Sequence, residues 1–343
     1  MAVYTTIDKS SDYFVTKLYN GSDSAQSITG LDFQPDWVWL KRRSSVRGHT
    51  AYDAPRGATY GIYPDLSDKE SVGSSALTAF TSDGFSLGAD DRVSGSGHTY
   101  VSWNWEANGA GASNTAGSIN TTKTSASTTS GFSIVTYTGT GSNATLGHGL
   151  GIKPSVIMIK NLETNGEDWA IYNEALGYSK YLKLNATTTV STNTNRFNAV
   201  PTTSLINIGA VNETNQSSKK HVAYCFANIQ GFSKMGTYTG NGNADGAFVY
   251  TGFKPAWVLL KNTAATEAYF LFDNKRGVNG AMVAAFPDET AADGGAADNI
   301  DLLSNGFKLR ASGAIVNSAA EFFYMAFAEN PFVTSSGVPG LAR

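Results

Sequence analysis

Apolar and polar residues alternate over short stretches of this chain, and the alternation predicts β-strands. Between Tyr100 and Trp105, a valine and two tryptophans fall on one face, and a serine and an asparagine fall on the other. The stretch 35–41 begins with a proline and is apolar on both faces, which indicates a strand that is covered on both sides. No stretch combines a helical period with capping residues. The pattern therefore predicts an all-β chain of antiparallel strands.

One pattern of strands and turns occurs three times. Each occurrence contains a proline-led strand, a turn that runs from an aromatic residue to a glycine, and a closing aromatic strand. Pro35 precedes the middle of its closing strand by 68 residues, and Pro154 and Pro255 precede theirs by 70. This spacing indicates three copies of one fold. The proline strands are Phe33–Lys41, Ile152–Lys160 and Phe253–Lys261, the turns are Tyr52–Gly57, Tyr172–Gly177 and Phe272–Gly277, and the closing strands are Tyr100–Trp105, His221–Phe226 and Phe322–Phe327.

The copies divide the chain into predicted domains. Of the 24 residues from 107 to 130, all but Ile119 and Lys123 are Ala, Gly, Ser, Thr or Asn. Such a stretch has little apolar surface to offset its ordering entropy, so it is predicted to be a flexible linker about which the first copy can swing. We expect three tandem antiparallel β-sandwich repeats of the jelly-roll or lectin-like type, at 1–106, 131–230 and 231–330, and a C-terminal tail at 331–343.

The composition excludes several classes of function. The formal net charge is −3 and only 15% of the residues are charged, so the chain is not a basic nucleic-acid-binding protein. A single cysteine, Cys225, excludes an intramolecular disulfide framework and a cysteine-based metal cluster. No apolar run approaches about 18 residues, so we expect no membrane insertion. The N-terminal sequence lacks the basic and apolar segments of a secretory signal.

The residues that carry out most enzyme chemistry form no specific motif in this sequence. The four histidines lack metal-ligand spacing, and the acidic clusters fall in predicted loops without a repeated pair of carboxylates. We therefore expect no catalytic residue, no metal site and no cofactor, and predict that the protein is not an enzyme. Loop aspartates are also suitable oxygen ligands for calcium, and the sequence leaves that possibility open.

An Asp–Arg pair occurs at the same place in the first and third copies. Asp53 and Arg56 stand in the first glycine turn, and Asp273 and Arg276 stand in the third. The second copy has an asparagine and a leucine there. The spacing predicts a structural ion pair that holds each turn, and a ligand-binding arginine is the alternative.

A sugar-binding surface is the one ligand site for which the sequence offers candidates. Carbohydrate sites combine a flat aromatic face with planar polar side chains. Tyr60 and Tyr63, in a predicted loop, supply the aromatic rings, and Ser102 and Asn104 supply the polar face of the closing strand. The tryptophans of the strands are expected to be core residues, because apolar residues replace them at matching positions.

Several of these stretches resemble a repeat found in structural proteins of marine and cyanobacterial tailed phages, of the kind labelled tail fibre or virion structural protein. The likeness covers about residues 12 to 335. The stretches that carry it are Pro35–Lys41, Ser82–Gly88, Thr99–Trp105, Gly231–Lys234, Tyr238–Gly242 and Met325–Phe332.

The resemblance implies a non-enzymatic protein on the surface of a phage particle, made in the host cytoplasm. We expect a tail fibre or adhesin that contacts host surface glycan, with other tail or capsid proteins as partners and a homotrimeric assembly. One alternative is a capsid decoration or head-fibre protein bound to the major capsid protein. Another is a glycan-cleaving tailspike, which is disfavoured because the sequence lacks the short parallel rungs of a β-helix.

Overall fold

The computed structural model describes residues 4–339, and antiparallel β-strands dominate it. The all-β prediction is confirmed. Residues 1–3 of the first predicted repeat and 340–343 of the predicted tail lie outside the described residues. The first segment of the fold contains a 3₁₀ helix, Ser10–Asp12, a short helix α1, Asp91–Ser94, and the strands β1 (Phe14–Asn20), β2 (Gln26–Thr29), β3 (Trp37–Arg42), β4 (Thr50–Asp53), β5 (Tyr60–Gly61), β6 (Ser71–Val72), β7 (Leu77–Thr81), β8 (Gly84–Leu87) and β9 (Thr99–Trp105).

The second and third segments continue the series of strands. The second contains β10 (Lys123–Ser127), β11 (Phe132–Thr138), β12 (Ala144–Gly147), β13 (Val156–Asn161), β14 (Ala170–Asn173), β15 (Lys180–Lys183), β16 (Ser191–Thr192), β17 (Leu205–Ile208), the short helix α2 (Asn212–Asn215) and β18 (Lys220–Phe226). The third contains β19 (Ser233–Thr239), β20 (Phe248–Tyr250), β21 (Phe253–Asn262), β22 (Phe270–Asp273), β23 (Ala284–Ala285), β24 (Ile300–Leu303), β25 (Gly306–Leu309) and β26 (Glu321–Pro331).

The three segments share one order of strands. In each main sheet, the closing strand lies between an early strand of the segment (β1, β11 or β19) and the proline-led strand, and a fourth strand pairs with the proline-led strand. The closing strand of each segment also has the same register. Trp39 lies opposite Trp103, Met158 opposite Tyr224, and Leu259 opposite Met325. The shared orders are β1-β9-β3-β4, β11-β18-β13-β14 and β19-β26-β21-β22.

One face of each main sheet packs on a smaller sheet of its own segment. The smaller sheets are β2-β8-β7, β12-β17 and β20-β25-β24. In the first segment, Val38 and Leu40 of the main sheet share a core with Leu77 and Phe85 of the smaller one. Packing of two antiparallel sheets over an apolar layer gives each segment a sandwich-like form.

The opposite faces of the three main sheets meet in a single central core. The ring centroids of Trp37 and Tyr224 are 4.6 Å apart across the first and second segments. Those of Trp105 and Trp257 are 5.7 Å apart across the first and third, and those of Phe226 and Phe327 are 5.9 Å apart across the second and third. The proline-led strands are apolar on both faces because each lies between this central core and a core of its own segment. All six tryptophans are at most 1% exposed, as core residues should be.

Equivalent hydrogen bonds join the segments at three seams, each seam being the contact between two segments. The Nζ atom of a buried lysine donates to a loop carbonyl of another segment, and a backbone amide donates to a backbone carbonyl beside it. The contacts run from first to second, second to third and third to first, so the ring is closed. The lysine bonds are Lys160 to Ser67 (3.2 Å), Lys261 to Thr187 (2.8 Å) and Lys41 to Thr290 (3.3 Å), and the amide bonds are Glu70 to Leu162 (3.0 Å), Val190 to Thr263 (2.9 Å) and Asp293 to Arg43 (2.9 Å).

The structure differs from the prediction of a flexible linker at 107–130. Strand β10 lies within this stretch and pairs with β11. The amides of Ala107 and Gly109 donate to the Asp36 carboxylate at 2.8 and 3.0 Å, and Ile119 bridges to Leu146 in the second segment. A stretch poor in apolar residues is ordered here because an existing sheet edge and a buried carboxylate satisfy its backbone groups. The first segment is therefore held by this stretch and by the central core, rather than being free to swing.

Candidate functional site

Both predicted Asp–Arg pairs form in the interior of the protein. The Nε atom of Arg56 lies 2.6 Å from Asp53 Oδ2, and Arg276 Nε lies 2.6 Å from Asp273 Oδ2. The Oδ1 atom of each aspartate also accepts from the backbone amide of its arginine, at 2.9 and 3.0 Å. Each carboxylate therefore holds its own turn, as a structural ion pair does.

The same carboxylates also join neighbouring segments, which sequence reasoning missed. The hydroxyl of Tyr224 donates to Asp53 Oδ2 at 2.5 Å across the seam of the first and second segments. The indole Nε1 of Trp103 donates to Asp273 Oδ2 at 3.0 Å across the seam of the first and third. Burial raises the pKa of Tyr224 well above its usual value, so the phenol stays a donor. Trp103 and Tyr224 stand at equivalent positions of their closing strands, and this equivalence could have indicated a shared role. The sequence does not show that these side chains face another copy.

The seam of the second and third segments lacks this polar bridge. Asn173 stands in place of the aspartate, Leu176 in place of the arginine, and Met325 in place of the aromatic donor. All three are buried. The three replacements are consistent with one another. Methionine has no hydrogen-bond donor for a carboxylate, and without a carboxylate the seam has no charge for an arginine to neutralise, so a leucine can take the place of the arginine. Within the described residues, two seams thus have a charged bridge at this point, and the third has the uncharged Asn173 in its place.

Arg276 has the environment of a purely structural residue. Its side chain is 0% exposed. Beyond Asp273, its Nη1 donates to Asp293 at 2.9 Å and its Nη2 to the carbonyl of Leu271 at 2.9 Å. Arg43 also donates to Asp293, at 2.8 Å. Every side-chain nitrogen of Arg276 therefore has an acceptor within the protein, and none is left for a ligand.

Arg56 differs from Arg276 at one nitrogen. Its Nη1 donates to Glu70 at 2.6 Å, but its Nη2 is buried without an acceptor among residues 4–339. An unsatisfied buried donor costs free energy, and such groups often mark a site that something else completes. The alternative of a ligand-binding arginine therefore remains open at this position alone.

The four residues predicted for a sugar-binding surface do not come together. Ser102 and Asn104 are fully buried, and the Asn104 amide donates to Ser102 Oγ at 3.0 Å. Both lie on the face of β9 that packs inside the first segment, so the prediction that they are exposed is wrong. Tyr63 is half-buried under the guanidinium of Arg92, whose carbon lies 4.7 Å from the ring centroid. Only Tyr60 presents a ring to solvent, at 38% exposure.

Tyr60 lines a cleft at the seam of the first and second segments. The cleft has a volume of about 230 Å³. Gly57, with a φ of 106°, closes the preceding turn, and a Cβ atom there would lie only 3.3 Å from the Tyr60 ring. One wall comes from the first segment and the other from β10 and its neighbours. The main polar and aromatic lining residues are Arg56, Tyr60, Glu70, Thr122, Lys123 and Lys220.

A buried carboxylate behind the glycine turns makes stability depend on pH. Asp65, Asn185 and Asp288 occupy equivalent positions, and each accepts a backbone amide at 2.9 Å. Desolvation raises the pKa of Asp288 to about 7, against the attraction of Lys261, and its Oδ2 has no partner in the described part of the chain. A raised carboxyl pKa stabilises the fold below the unfolded pKa of 3.8, and this contribution is lost as the pH rises through 7.

The substitution Asp288→Asn is expected to raise the free energy of unfolding at pH 8 by ~2 kcal/mol and to leave it almost unchanged at pH 4. Asparagine keeps the bond to Tyr269 without a charge, as Asn185 already does in the second segment. Urea unfolding at the two pH values measures the effect, and Asp298→Asn, at an exposed site, is the control. An equal change at both pH values would contradict the assignment.

No group of three or more His, Cys, Asp and Glu side chains within residues 4–339 is arranged to hold a metal ion. No helix in the same residues is long and apolar enough to cross a membrane.

These features define the chain as an all-β protein whose three antiparallel sheets surround a common core. The chain belongs to the family described as Domain of unknown function (DUF7483), whose model matches residues 9–331. A search of curated proteins found no match. The matched region begins just before the 3₁₀ helix and ends with β26, so the family model spans all three segments.

Proposed function

We propose that this protein is a non-enzymatic surface protein of a tailed-phage particle, a tail fibre or adhesin that contacts host surface glycan. The particle surface is the location that the sequence resemblance implies. The observation that carries glycan contact is the cleft at the seam of the first and second segments, which combines the exposed Tyr60 ring with polar side chains.

The proposal includes a finer description of the architecture. Each segment is one β-sandwich module, and the modules are three copies of a single ancestral unit that now form a ring. The repeated strand order supports this description, as do the equivalent lysine and amide bonds at the three seams. A ring held by one central core is suited to an exposed particle surface, because the stretch between the first two segments is paired in a sheet and is less open to proteases than a loose linker.

The chemistry of the cleft suits a sugar ring better than an apolar ligand. A pyranose has an apolar face that packs on an aromatic ring and a rim of hydroxyls that needs hydrogen-bond partners. Tyr60 supplies the ring, and the hydroxyls of Thr122, Thr136 and Thr138 lie in the same lining with Lys123. Sites of this kind orient a ligand by a few polar groups around an apolar surface.

The test is binding of the purified protein to an immobilised panel of bacterial capsular and O-antigen polysaccharides. We expect saturable binding to at least one of them, weakened about fivefold or more by Tyr60→Ala. The control is Tyr178→Ala, because Tyr178 is also 38% exposed but does not line the cleft. Loss of the ring should cost about 1–3 kcal/mol, as for other aromatic contacts, and each 1.4 kcal/mol corresponds to a factor of ten. Failure to bind any member of the panel, or equal binding by Tyr60→Ala, would overturn the glycan-binding proposal.

A further inference from the structure

We propose that the cleft lined by Tyr60 takes an acidic sugar, and that it binds the carboxylate of a hexuronic acid residue within a polysaccharide. This inference rests on the proposed glycan contact and names the ligand class of the same site. It adds to the proposed glycan contact the charge of the ligand and the residues that bind that charge.

The lining carries more positive than negative charge. Glu70, the one carboxylate in the lining, is bound by Arg56 at 2.6 Å, and Arg56 also pairs with the buried Asp53. Lys123 makes no salt bridge within residues 4–339, and Lys220, whose side chain is 71% exposed, lies 3.8 Å from Glu163, which is not part of the lining. Burial lowers the pKa of His221, so that ring is neutral. The lining thus contains two lysines and one carboxylate that is already bound to an arginine, and this balance favours an anionic ligand.

Arg56 lines the cleft, and its unsatisfied donor Nη2 is buried rather than exposed to solvent. Arg276 is the matching residue in the third segment, because both arginines donate from Nε to the Oδ2 atom of an aspartate three residues earlier. At Arg276 the protein supplies the last acceptor from Leu271, whereas at Arg56 none of the described residues does. The two arginines therefore differ by one hydrogen bond, and this difference distinguishes the seam at Arg56 from the seam at Arg276.

The size of the cleft limits the part of the ligand that it holds. Pockets for drug-sized molecules usually measure about 300–1,000 Å³. The volume of about 230 Å³ is below that range and suits a single sugar residue. A single ring with one carboxylate provides both an apolar face for Tyr60 and an anion for Lys123 and Lys220.

Within residues 4–339, the other two seams lack the residues that line this cleft. At the seam of the second and third segments, Leu176 and Val190 replace Arg56 and Glu70. At the seam of the third and first, Arg276, Asp293 and Arg43 close into a salt-bridge cluster. Strand β10, from the stretch that composition alone assigned to a linker, provides the wall with Lys123. The asymmetry therefore gives that stretch a function.

The experiment compares two forms of one polymer, polygalacturonate and its fully methyl-esterified form, in binding to the full chain by biolayer interferometry. We expect the acid form to bind at least tenfold more tightly than the ester, and the double variant Lys123→Met/Lys220→Met to lose that preference. Methionine keeps much of the unbranched stem of lysine and removes its charge. The control is Lys180→Met/Lys275→Met, which makes the same change in net charge at exposed lysines outside the cleft. Thermal unfolding of the two double variants, of Tyr60→Ala and Tyr178→Ala, and of the native protein verifies that the fold is retained.

The outcomes separate this inference from the proposal on which it rests. If the acid form and the ester bind equally and Tyr60→Ala weakens both, the cleft binds glycan without recognising a carboxylate. The acidic-sugar inference then fails, and the glycan-binding proposal stands. If the control lysine variant loses binding as completely as the cleft variant does, attraction is due to net charge, and the inference also fails. If neither polymer binds while a polysaccharide of the panel does so through Tyr60, a uronic acid is not the ligand class. If no polysaccharide binds, both proposals fail.

Discussion

Asp273→Ala is expected to lower the free energy of unfolding by about 3–5 kcal/mol, because it leaves the guanidinium of Arg276 buried without its main counter-charge. Asp273 accepts from Arg276 at 2.6 Å and from Trp103 at 3.0 Å, and it is fully buried. The substitution thus removes an ion pair within the third segment and a bridge to the first segment together. Chemical denaturation followed by tryptophan fluorescence measures the loss.

A matched variant exists in the chain itself. The double substitution Asp273→Asn/Arg276→Leu copies the pair Asn173 and Leu176 of the second segment. It removes both charges, so no unpaired ion remains, and Asp293 keeps its bond to Arg43. We expect it to cost only about 1–2 kcal/mol, less than the single substitution, because replacing a buried pair is milder than breaking it. A double variant that is less stable than Asp273→Ala would show that the unpaired charge of Arg276 is not the cause of the loss in the single variant.

The strands and their threefold repetition could be predicted from the sequence, because both are local. Alternation in Tyr100–Trp105 and a fixed distance from each proline to its closing strand need no knowledge of tertiary contacts. The arrangement of the segments could not be predicted in this way. Apolar residues on both faces of Trp37–Arg42 indicated that both faces are covered, but the pattern does not say by what. A face that is covered by a second layer of the same copy and a face that is covered by a neighbouring copy have the same apolar pattern in the sequence.

The stretch 107–130 shows a limit of reasoning from composition. Its small polar residues offer little apolar area, and a flexible linker is the usual consequence. In the structure, Ser125 Oγ accepts the amide of Asn108, and β10 pairs along its length with β11. Hydrogen bonds to a preformed sheet edge order such a stretch, and that edge is invisible in the local sequence.

Only part of the candidate site could be predicted from the sequence. The Asp–Arg pairs could be predicted because their three-residue spacing is local and is repeated. Tyr60 was a candidate for its type and loop position, but its partners Lys123 and Lys220 lie in another segment. Ser102 and Asn104 were misplaced because a polar face of a strand usually faces water, whereas here the Asn104 amide donates to Val15 O at 2.9 Å and to Ser102 Oγ at 3.0 Å.

The largest effect on folding is expected from the central core, which should make the three segments unfold together. Trp37 is 1% exposed, and its ring lies 4.5 Å from that of Trp105 and 4.6 Å from that of Tyr224. Because the contact with Tyr224 crosses the seam of the first and second segments, unfolding of the first segment exposes the core of the second. Hydrogen exchange during thermal unfolding should therefore give one midpoint for peptides from all three segments.

Trp37→Ala is expected to lower that common midpoint in every segment, with a cost of about 3–5 kcal/mol, because the cavity opens in a core that all three share. Val46→Ala, at a side chain that is 69% exposed, serves as the control and should leave the midpoint unchanged. Independent tandem domains would behave differently. Peptides from the first segment would lose protection at a lower temperature in Trp37→Ala, while those from the second and third would keep the native midpoint, and that result would exclude a shared core as the basis of stability.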